Sequence, residues 1–189
     1  NMLTQTKNRI FEKDKIVYTV KTIKSLINSV KYDPQLEKIN VQFKVIDHNS
    51  SDENLEKISS IFKNSKVKYD LHKLDLSKYE KNIEKINERG EEVSHNQMSN
   101  MANINQSLLE SKNSNDLVYF VEDDYLHKKE AISEMVFTYE RLASQLDKEI
   151  IICPADYPYL YTQAELTQNF LGRKYHWRKV DETLCTFLT

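Results

Sequence analysis

Strand-like and helix-like apolar patterns alternate along nearly the whole chain of 189 residues. Apolar residues at helical spacing predict helices, and short apolar or alternating runs between them predict strands. This alternation favours a mainly parallel sheet, because each helix carries the chain back to the end where the previous strand began. We therefore predict an α/β fold in one domain, with helices on both faces of a mainly parallel sheet. The predicted strands are 2–6, 41–47, 67–71, 117–121 and 149–153, and the predicted helices are 16–30, 55–62, 98–109 and 131–146.

Local signals predict where several of these elements begin and end. Pro34 closes the first helix, because proline cannot continue it. Ser50 and Glu53 have the spacing of a capping box and predict the start of the second helix. Residues 76–95 are charged and weakly periodic, which predicts a mobile loop with a short helix ending at Gly90.

Glycine occurs only at positions 90 and 172. The dinucleotide-binding turn GxGxxG and the P-loop both need several glycines where the backbone approaches phosphate. Neither motif can be formed from this chain, so both classes of nucleotide site are excluded. A diphosphate bound here would have to be neutralised by a metal ion or by side chains.

The charge of the chain is nearly balanced, with 27 Lys and Arg against 29 Asp and Glu and a net charge of −2. Nucleic acid is not expected as a partner, because no basic excess is present to neutralise phosphates. No apolar run approaches the roughly 20 residues that span a bilayer, and the N-terminal residues lack the pattern of a signal peptide. We expect a cytoplasmic protein without a transmembrane segment. Cys153 and Cys185 lie in apolar surroundings without CxxC spacing, which is typical of reduced core thiols rather than of a metal site or a disulfide.

Three consecutive acids, Glu122, Asp123 and Asp124, follow the apolar run 117–121. Like charges in this position repel one another unless a cation or a strong network compensates them. Carboxylate oxygens suit Mg²⁺ or Mn²⁺, and such an ion can bridge two phosphates and stabilise a leaving diphosphate. A solvated acidic turn, or an N-cap cluster for the next helix, is the other interpretation. Polar residues also follow two other predicted strands, at 6–9 and 47–52, and their expected convergence on one sheet edge favours the metal.

Taken in order, these motifs resemble those of glycosyltransferases with the GT-A fold, particularly the family 2-like members. Residues 4–9, TQTKNR, are similar to the PTYNR-like turn after the first strand of that family. Residues 47–52, DHNSSD, are similar to its DDGSTD-like motif after the second strand. Asn103-Ile104-Asn105 then precedes Glu122-Asp123-Asp124, which stands in the place of DxD. The resemblance covers about residues 1–150.

The resemblance implies a metal-dependent, inverting transfer of a sugar from a nucleoside-diphosphate donor, with UDP favoured, to a hydroxyl of a glycan or other acceptor. Mn²⁺ or Mg²⁺ is the implied cofactor. Two departures from the family pattern bear on the nucleotide: Glu122 replaces the first Asp of DxD, and His48 replaces the second Asp of the loop. The implied nucleotide-sugar contacts are Thr6, Arg9, Asp47, Asn105, Glu122 and Asp123, and the implied metal ligands are Asp124 and His176. His176 also fits an ordinary surface or hydrogen-bonded histidine.

An inverting transfer needs a carboxylate that takes the proton of the acceptor hydroxyl. Asp156 follows the fifth predicted strand and is our candidate, with Asp181 and Glu182 as rivals. Each of the three also fits a solvated surface acid. The aromatic residues of the tail either stack on a sugar ring or form the core of the tail, and they are Tyr157, Tyr159, Tyr161 and Trp177. The tail cations either contact the diphosphate or acceptor or are surface charges, and they are Arg173, Lys174 and Arg178.

We expect residues 1–125 to form the nucleotide-sugar-binding half and residues 126–189 the acceptor-side half of the domain. The chain stops inside a predicted strand, 184–188, which would suit one domain of a larger enzyme or a compact version. Two other classes fit part of the pattern. One is a non-catalytic nucleotide-binding module, which product formation would separate from an enzyme. The other is a Mg²⁺-dependent phosphoacceptor signalling domain, which carries its paired acids after the first strand, where this chain has Thr-Lys-Asn-Arg.

Overall fold

The computed structural model describes residues 13–79, 81, 83, 85–87, 90–155, 166–181 and 186–189. Within them the chain forms two compact units: the first takes in residues up to 21 together with 40–115, and the second takes in 22–39 together with 116–189. The helices of the described part are α1 (Lys15–Tyr32), α2 (Asp52–Ser65), α3 (His95–Ser111) and α4 (Ala131–Leu146). Its strands are β1 (Gln42–Asp47), β2 (Lys68–Lys73), β3 (Tyr119–Phe120), β4 (Asn169–Leu171), β5 (His176–Arg178) and β6 (Phe187–Leu188). Short 3₁₀ helices cover Pro34–Lys38 and Leu76–Lys78.

The four predicted helices are confirmed, and local signals mark the end of α1 and the start of α2. Pro34 starts a 3₁₀ helix directly after α1, where the Asp33 carboxylate accepts a hydrogen bond from the Gln35 amide at 3.0 Å. The predicted cap of α2 is wrong by one residue. Ser51, not Ser50, is the N-cap, because its hydroxyl oxygen accepts from the Asn54 amide at 3.3 Å.

In the first unit, helices cover both faces of a two-stranded parallel sheet. β1 and β2 run parallel, with Phe43 opposite Tyr69. On one face Phe62 of α2 lies against both of these rings, at centroid distances of 5.3 and 4.9 Å. On the other face Ile46 packs with Ala102 of α3. This part of the fold confirms the predicted arrangement of strands and helices on a local scale.

In the second unit, α4 packs on a small sheet in which β6 is central. β3 pairs with β6 in the antiparallel sense, with Tyr119 opposite Leu188. Ile152 forms a single antiparallel bridge to Leu188 from the other side. The chain at Tyr119 and at Ile152 therefore runs in the same direction on the two sides of β6. The buried core here combines residues of α4 with those of the sheet: Leu36, Ile132, Met135, Val136, Tyr139, Ile152 and Leu188.

The predicted extended parallel sheet is not found among the described residues. Their only parallel pair is β1 with β2, and the other two pairs, β3 with β6 and β4 with β5, are antiparallel. The predicted strand 117–121 is in a ladder only at Tyr119–Phe120, and the predicted strand 149–153 only at Ile152. An apolar run predicts extended backbone, but it does not encode the partner or its direction. The predicted strand 2–6 lies outside the described residues.

The segment 76–95 also differs from its prediction. Leu76–Lys78 forms a 3₁₀ helix, and Ile86 makes an antiparallel bridge to Glu92. Gly90 lies in the turn of that bridge with φ of 76°, a conformation that glycine adopts at little cost, so it does not end a helix. No helix in the part of the chain that the structure describes is long and apolar enough to cross a membrane.

Candidate functional site

Asp47 ends β1 in the first unit and holds the turn that follows it. Its carboxylate accepts from the Ser50 amide at 3.1 Å and from the Ser50 hydroxyl at 2.5 Å. The side chain is 9 % exposed, and Asn49 within this turn has φ of 63°. A carboxylate offers about four lone-pair sites, so two bonds to Ser50 leave capacity for a ligand donor. Asp47 is thus placed at a strand end as predicted, and it also organises the loop itself.

His48 points toward the start of α3. Its Nδ1 lies 2.8 Å from the Ser99 hydroxyl oxygen, and its ring centroid lies 5.6 Å from that of His95. Partial burial, followed by the nearby His95, lowers the pKa of His48. A neutral imidazole therefore stands where the family pattern has a second Asp.

The amide side chain that reaches β1 from α3 is Asn103, not the predicted Asn105. Asn103 donates from Nδ2 to the Ile46 carbonyl at 3.0 Å. Asn105 is exposed on α3. Two positions along a helix correspond to a rotation of about 200°, so only one of these two side chains can face the sheet.

The acidic turn, Glu122-Asp123-Asp124, lies in the second unit directly beyond β3. The Glu122 amide donates to the Thr186 hydroxyl oxygen at 3.3 Å, and Thr186 is 1 % exposed next to β6. Asp123 is half-buried, and the side chains of Glu122 and Asp124 are exposed. The pairing of β3 with β6 therefore fixes the start of the turn and leaves carboxylates facing solvent.

The described residues contain no group of three His, Cys, Asp or Glu side chains placed to hold a metal ion. His176 is exposed on β5, opposite Leu171, and is not part of such a group. Mg²⁺ is commonly bound by one or two carboxylates together with substrate phosphates and water. The acidic turn suits this kind of site, in which the phosphates and water would supply most of the metal ligands.

Sequence reasoning missed the buried carboxylate of Glu134 on α4. Glu134 is 3 % exposed and accepts from the amides of Arg173, Lys174 and Tyr175 at 2.9, 2.7 and 3.3 Å. The indole Nε1 of Trp177 donates to the same carboxylate at 3.1 Å. These bonds tie the β4–β5 hairpin to α4. An acid within the apolar pattern 131–146 was the signal that could have identified it.

A groove of about 1410 Å³ opens on the second unit. Its wall includes Tyr125, the residue after Asp124, together with the rings of Tyr119, Tyr175 and Trp177. The acidic turn itself does not line it. Four of the predicted site residues line this groove: His176, Trp177, Arg178 and Asp181.

The two remaining tail cations are engaged elsewhere in the second unit. Arg173 forms an ion pair with Asp33 at 2.6 Å and lies over the Phe137 ring at 4.7 Å. Lys174 lies 5.8 Å from the centroid of the Tyr32 ring. The other predicted residues, Thr6, Arg9, Asp156, Tyr157, Tyr159, Tyr161, Glu182 and Cys185, lie outside the described residues.

Comparison of the chain with protein-family models, with curated proteins and with solved structures gave no match. The resemblance to glycosyltransferases is therefore carried by the motifs in the sequence, and the function has to be argued from the side chains of the two units.

Proposed function

We propose that this protein is a GT-A-like glycosyltransferase that moves a sugar from a nucleoside-diphosphate donor to a hydroxyl acceptor with the help of Mn²⁺ or Mg²⁺. The observation that carries the proposal is the acidic turn beyond β3, with the exposed carboxylate of Asp124 next in the chain to the wall of a groove. The donor diphosphate at the acidic turn and the acceptor in the groove would then both bind to the second unit.

Two features of the fold support the proposal. β1 of the first unit is covered by helices on both faces, as in doubly wound folds, and its carboxyl end carries Asp47. In the second unit an antiparallel strand, β6, lies between two segments of common direction. Sheets that combine parallel strands with an antiparallel strand are common among α/β folds. The proposed GT-A fold rests on these features together with the order of the motifs.

The metal would act at the acidic turn. The carboxylate of Asp124 would hold it together with the donor phosphates, and Asp123 would contact the nucleotide sugar, since oxygen ligands suit Mg²⁺ and Mn²⁺. When bound, such an ion would stabilise the charge that develops on the leaving diphosphate. Inversion at the anomeric carbon and preference for UDP remain part of the proposal through the family resemblance.

The test is a thermal-shift panel of UDP- and GDP-sugars, each with and without Mn²⁺. A ligand that binds only the folded protein stabilises it by about 2.7 kcal/mol at a hundredfold excess over Kd. We expect one nucleotide sugar to raise the melting temperature only when Mn²⁺ is present. The variant Asp124→Asn should lose this shift and keep the melting temperature of the free protein, because relieving like-charge repulsion at an exposed turn costs little stability.

Asp116→Asn is the matched control, since Asp116 is an exposed aspartate just before β3, whereas Asp124 comes just after it. If the Mn²⁺-dependent rise in melting temperature persists in Asp124→Asn, the metal does not bind at the acidic turn. Stabilisation without release of nucleoside diphosphate would instead favour the non-catalytic nucleotide-binding module. If no nucleotide sugar shifts the melting temperature, the glycosyltransferase proposal is wrong.

A further inference from the structure

Tyr119 and His127 form a hydrogen-bonded pair on the wall of the groove. The Tyr119 hydroxyl oxygen lies 2.9 Å from His127 Nε2, and the two rings are nearly perpendicular at a centroid distance of 5.7 Å. Both residues line the groove. Tyr119 comes from β3, and His127 comes three residues after the acidic turn, so the strand that leads into that turn also positions this pair.

Contacts of both ring nitrogens favour one tautomer of His127. The Ser25 hydroxyl uses its hydrogen in a bond to the Thr22 carbonyl, so the oxygen that faces Nδ1 is an acceptor and suits a proton on Nδ1. With the proton on Nδ1, the Nε2 lone pair accepts the hydrogen of the Tyr119 hydroxyl.

The backbone and α1 hold the imidazole in this orientation. The Ser25 hydroxyl donates to the Thr22 carbonyl at 2.9 Å, and its oxygen accepts from the His127 amide at 3.0 Å. His127 Nδ1 lies 3.5 Å from the same oxygen. The ring thus contacts α1 on one side and β3 on the other.

The surroundings of His127 favour the neutral imidazole, which is the form that can receive a proton. Burial lowers the pKa of His127, and the bond to the Tyr125 backbone partly offsets this effect. The titratable or charged groups on the elements around it include Tyr119 on β3, Lys24 on α1, Lys128 and Glu130 after it in the chain, and Glu134, Tyr175, His176 and Arg178 on the groove wall. A neutral histidine with an available lone pair can take up a proton from a hydroxyl at neutral pH.

We propose that Tyr119 and His127 together accept the proton of an acceptor hydroxyl bound in the groove, an inference that rests on the proposed function. As the acceptor oxygen forms its bond to the anomeric carbon, its proton passes to the Tyr119 oxygen while the proton of Tyr119 passes to His127 Nε2. The bond between the anomeric carbon and the diphosphate breaks, and the nucleoside diphosphate leaves with the electron pair. His127 then returns its proton to solvent. Tyr119 is the catalytic residue in this step, and His127 acts through it.

The groove suits an acceptor that carries both hydroxyl and CH groups. Aromatic faces bind the apolar faces of sugar rings, and the groove wall carries the rings of Tyr125, Tyr175 and Trp177 beside the pair. The Glu134 carboxylate holds the Trp177 indole by its Nε1, so this ring has a fixed position in the wall. A saccharide hydroxyl is therefore the ligand chemistry that this site favours.

The test compares Tyr119→Phe and His127→Gln with wild type in transfer from the nucleotide sugar identified by thermal shift. Tyr32→Phe is the matched control, because it removes a tyrosine hydroxyl from an exposed residue of the same unit that does not line the groove. We expect Tyr119→Phe and His127→Gln to lower turnover by roughly 10²–10⁴-fold, the usual effect of losing general base catalysis. The donor affinity of both variants and the turnover of Tyr32→Phe should stay at the wild-type level.

The pH profile separates proton transfer from a structural role. In wild type, kcat/KM should fall on the acid side with the pKa of His127 measured by NMR of its ring. His127→Gln should retain its residual activity without that acid limb. An acid limb that is unchanged in His127→Gln, or a Tyr119→Phe variant that keeps more than half of its turnover, would overturn the proposal.

A binding measurement distinguishes failure of this inference from failure of the proposed function. Lactose, cellobiose and N,N′-diacetylchitobiose are titrated without donor, and the His127 ring resonances and Trp177 fluorescence are followed. If a sugar changes both the His127 resonances and the Trp177 fluorescence in wild type but not in Tyr119→Phe, the hydroxyl site is supported. If no nucleotide sugar is turned over in that case, only the assignment of the donor fails. If none of the three sugars moves the His127 resonances, the pair is not a hydroxyl site.

Discussion

The carboxylate of Glu134 shows how one residue can organise a segment that is remote in sequence. Four of its hydrogen-bond donors lie about forty positions away, at residues 173–177. Glu134→Gln should destabilise the fold by roughly 1–3 kcal/mol, because a carboxamide cannot accept all of these bonds and turns its own N–H groups toward other donors. Trp177 is the sole tryptophan, so a red shift of its emission in the folded variant would report loosening of the hairpin. Glu140→Gln, an exposed change on the same helix, is the control and should leave both readouts unchanged.

Gly172 is required at its position by close packing rather than by its φ angle. A Cβ there would overlap the Glu134 carboxylate, the Trp177 indole nitrogen and the Tyr175 carbonyl. Gly172→Ala should therefore displace Trp177 and shift its emission in the same direction as Glu134→Gln. A crystal structure or emission spectrum of Gly172→Ala that matches wild type would contradict this account of the site.

At the scale of elements, helices were predictable and strand partners were not. A helix forms its hydrogen bonds within itself, so apolar spacing such as that of Ile132, Met135 and Val136 is enough to identify α4. A strand depends on a partner that may be far away, as Tyr119 depends on Leu188. The β4–β5 hairpin was missed because polar residues interrupt the apolar residues of its sequence, NFLGRKYHWR, and its turn is held by Glu134 from another element. The acidic turn was located correctly because it follows an apolar run directly.

The start of α2 gives a prediction at the same scale. Ser51 caps the helix, so Ser51→Ala should lower the free energy of unfolding by about 1 kcal/mol, the usual effect of losing an N-cap. Ser50→Ala removes the hydroxyl that bonds Asp47 and leaves the helix cap in place. Urea unfolding monitored by circular dichroism would test this. A larger loss in helix content for Ser50→Ala than for Ser51→Ala would restore Ser50 as the cap.

At the scale of the whole molecule, the predicted site residues fall into different units. Asp47 and Asn105 belong to the first unit, and Glu122, Asp123, Asp124 and His176 belong to the second. The order of motifs along the sequence could identify these positions, because each follows or precedes an apolar run. It could not identify the groove or the pair of Tyr119 and His127, since both arise from contacts that form only when α1, β3 and β5 are folded.

Stability of the whole molecule should fall in two steps on acidification. His48 and His127 have pKa values lowered mainly by burial, so below the ordinary value of 6.5 the unfolded chain binds more protons than the folded one. Stability rises with pH wherever the unfolded state binds more protons, and it is therefore lost as the pH falls from about 7 toward 5.

A second loss follows near and below pH 4, because hydrogen bonds and ion pairs hold the pKa values of several carboxyls below their ordinary 3.8 or 4.5: Asp33, Glu53, Asp75, Glu110 and Glu130. Melting temperatures measured between pH 8 and 3 would resolve the two steps, and His127→Gln should reduce the slope of the first step only. If the first step is as steep in His127→Gln, and in the double variant with His48→Gln, as it is in wild type, then neither histidine is held neutral by the fold.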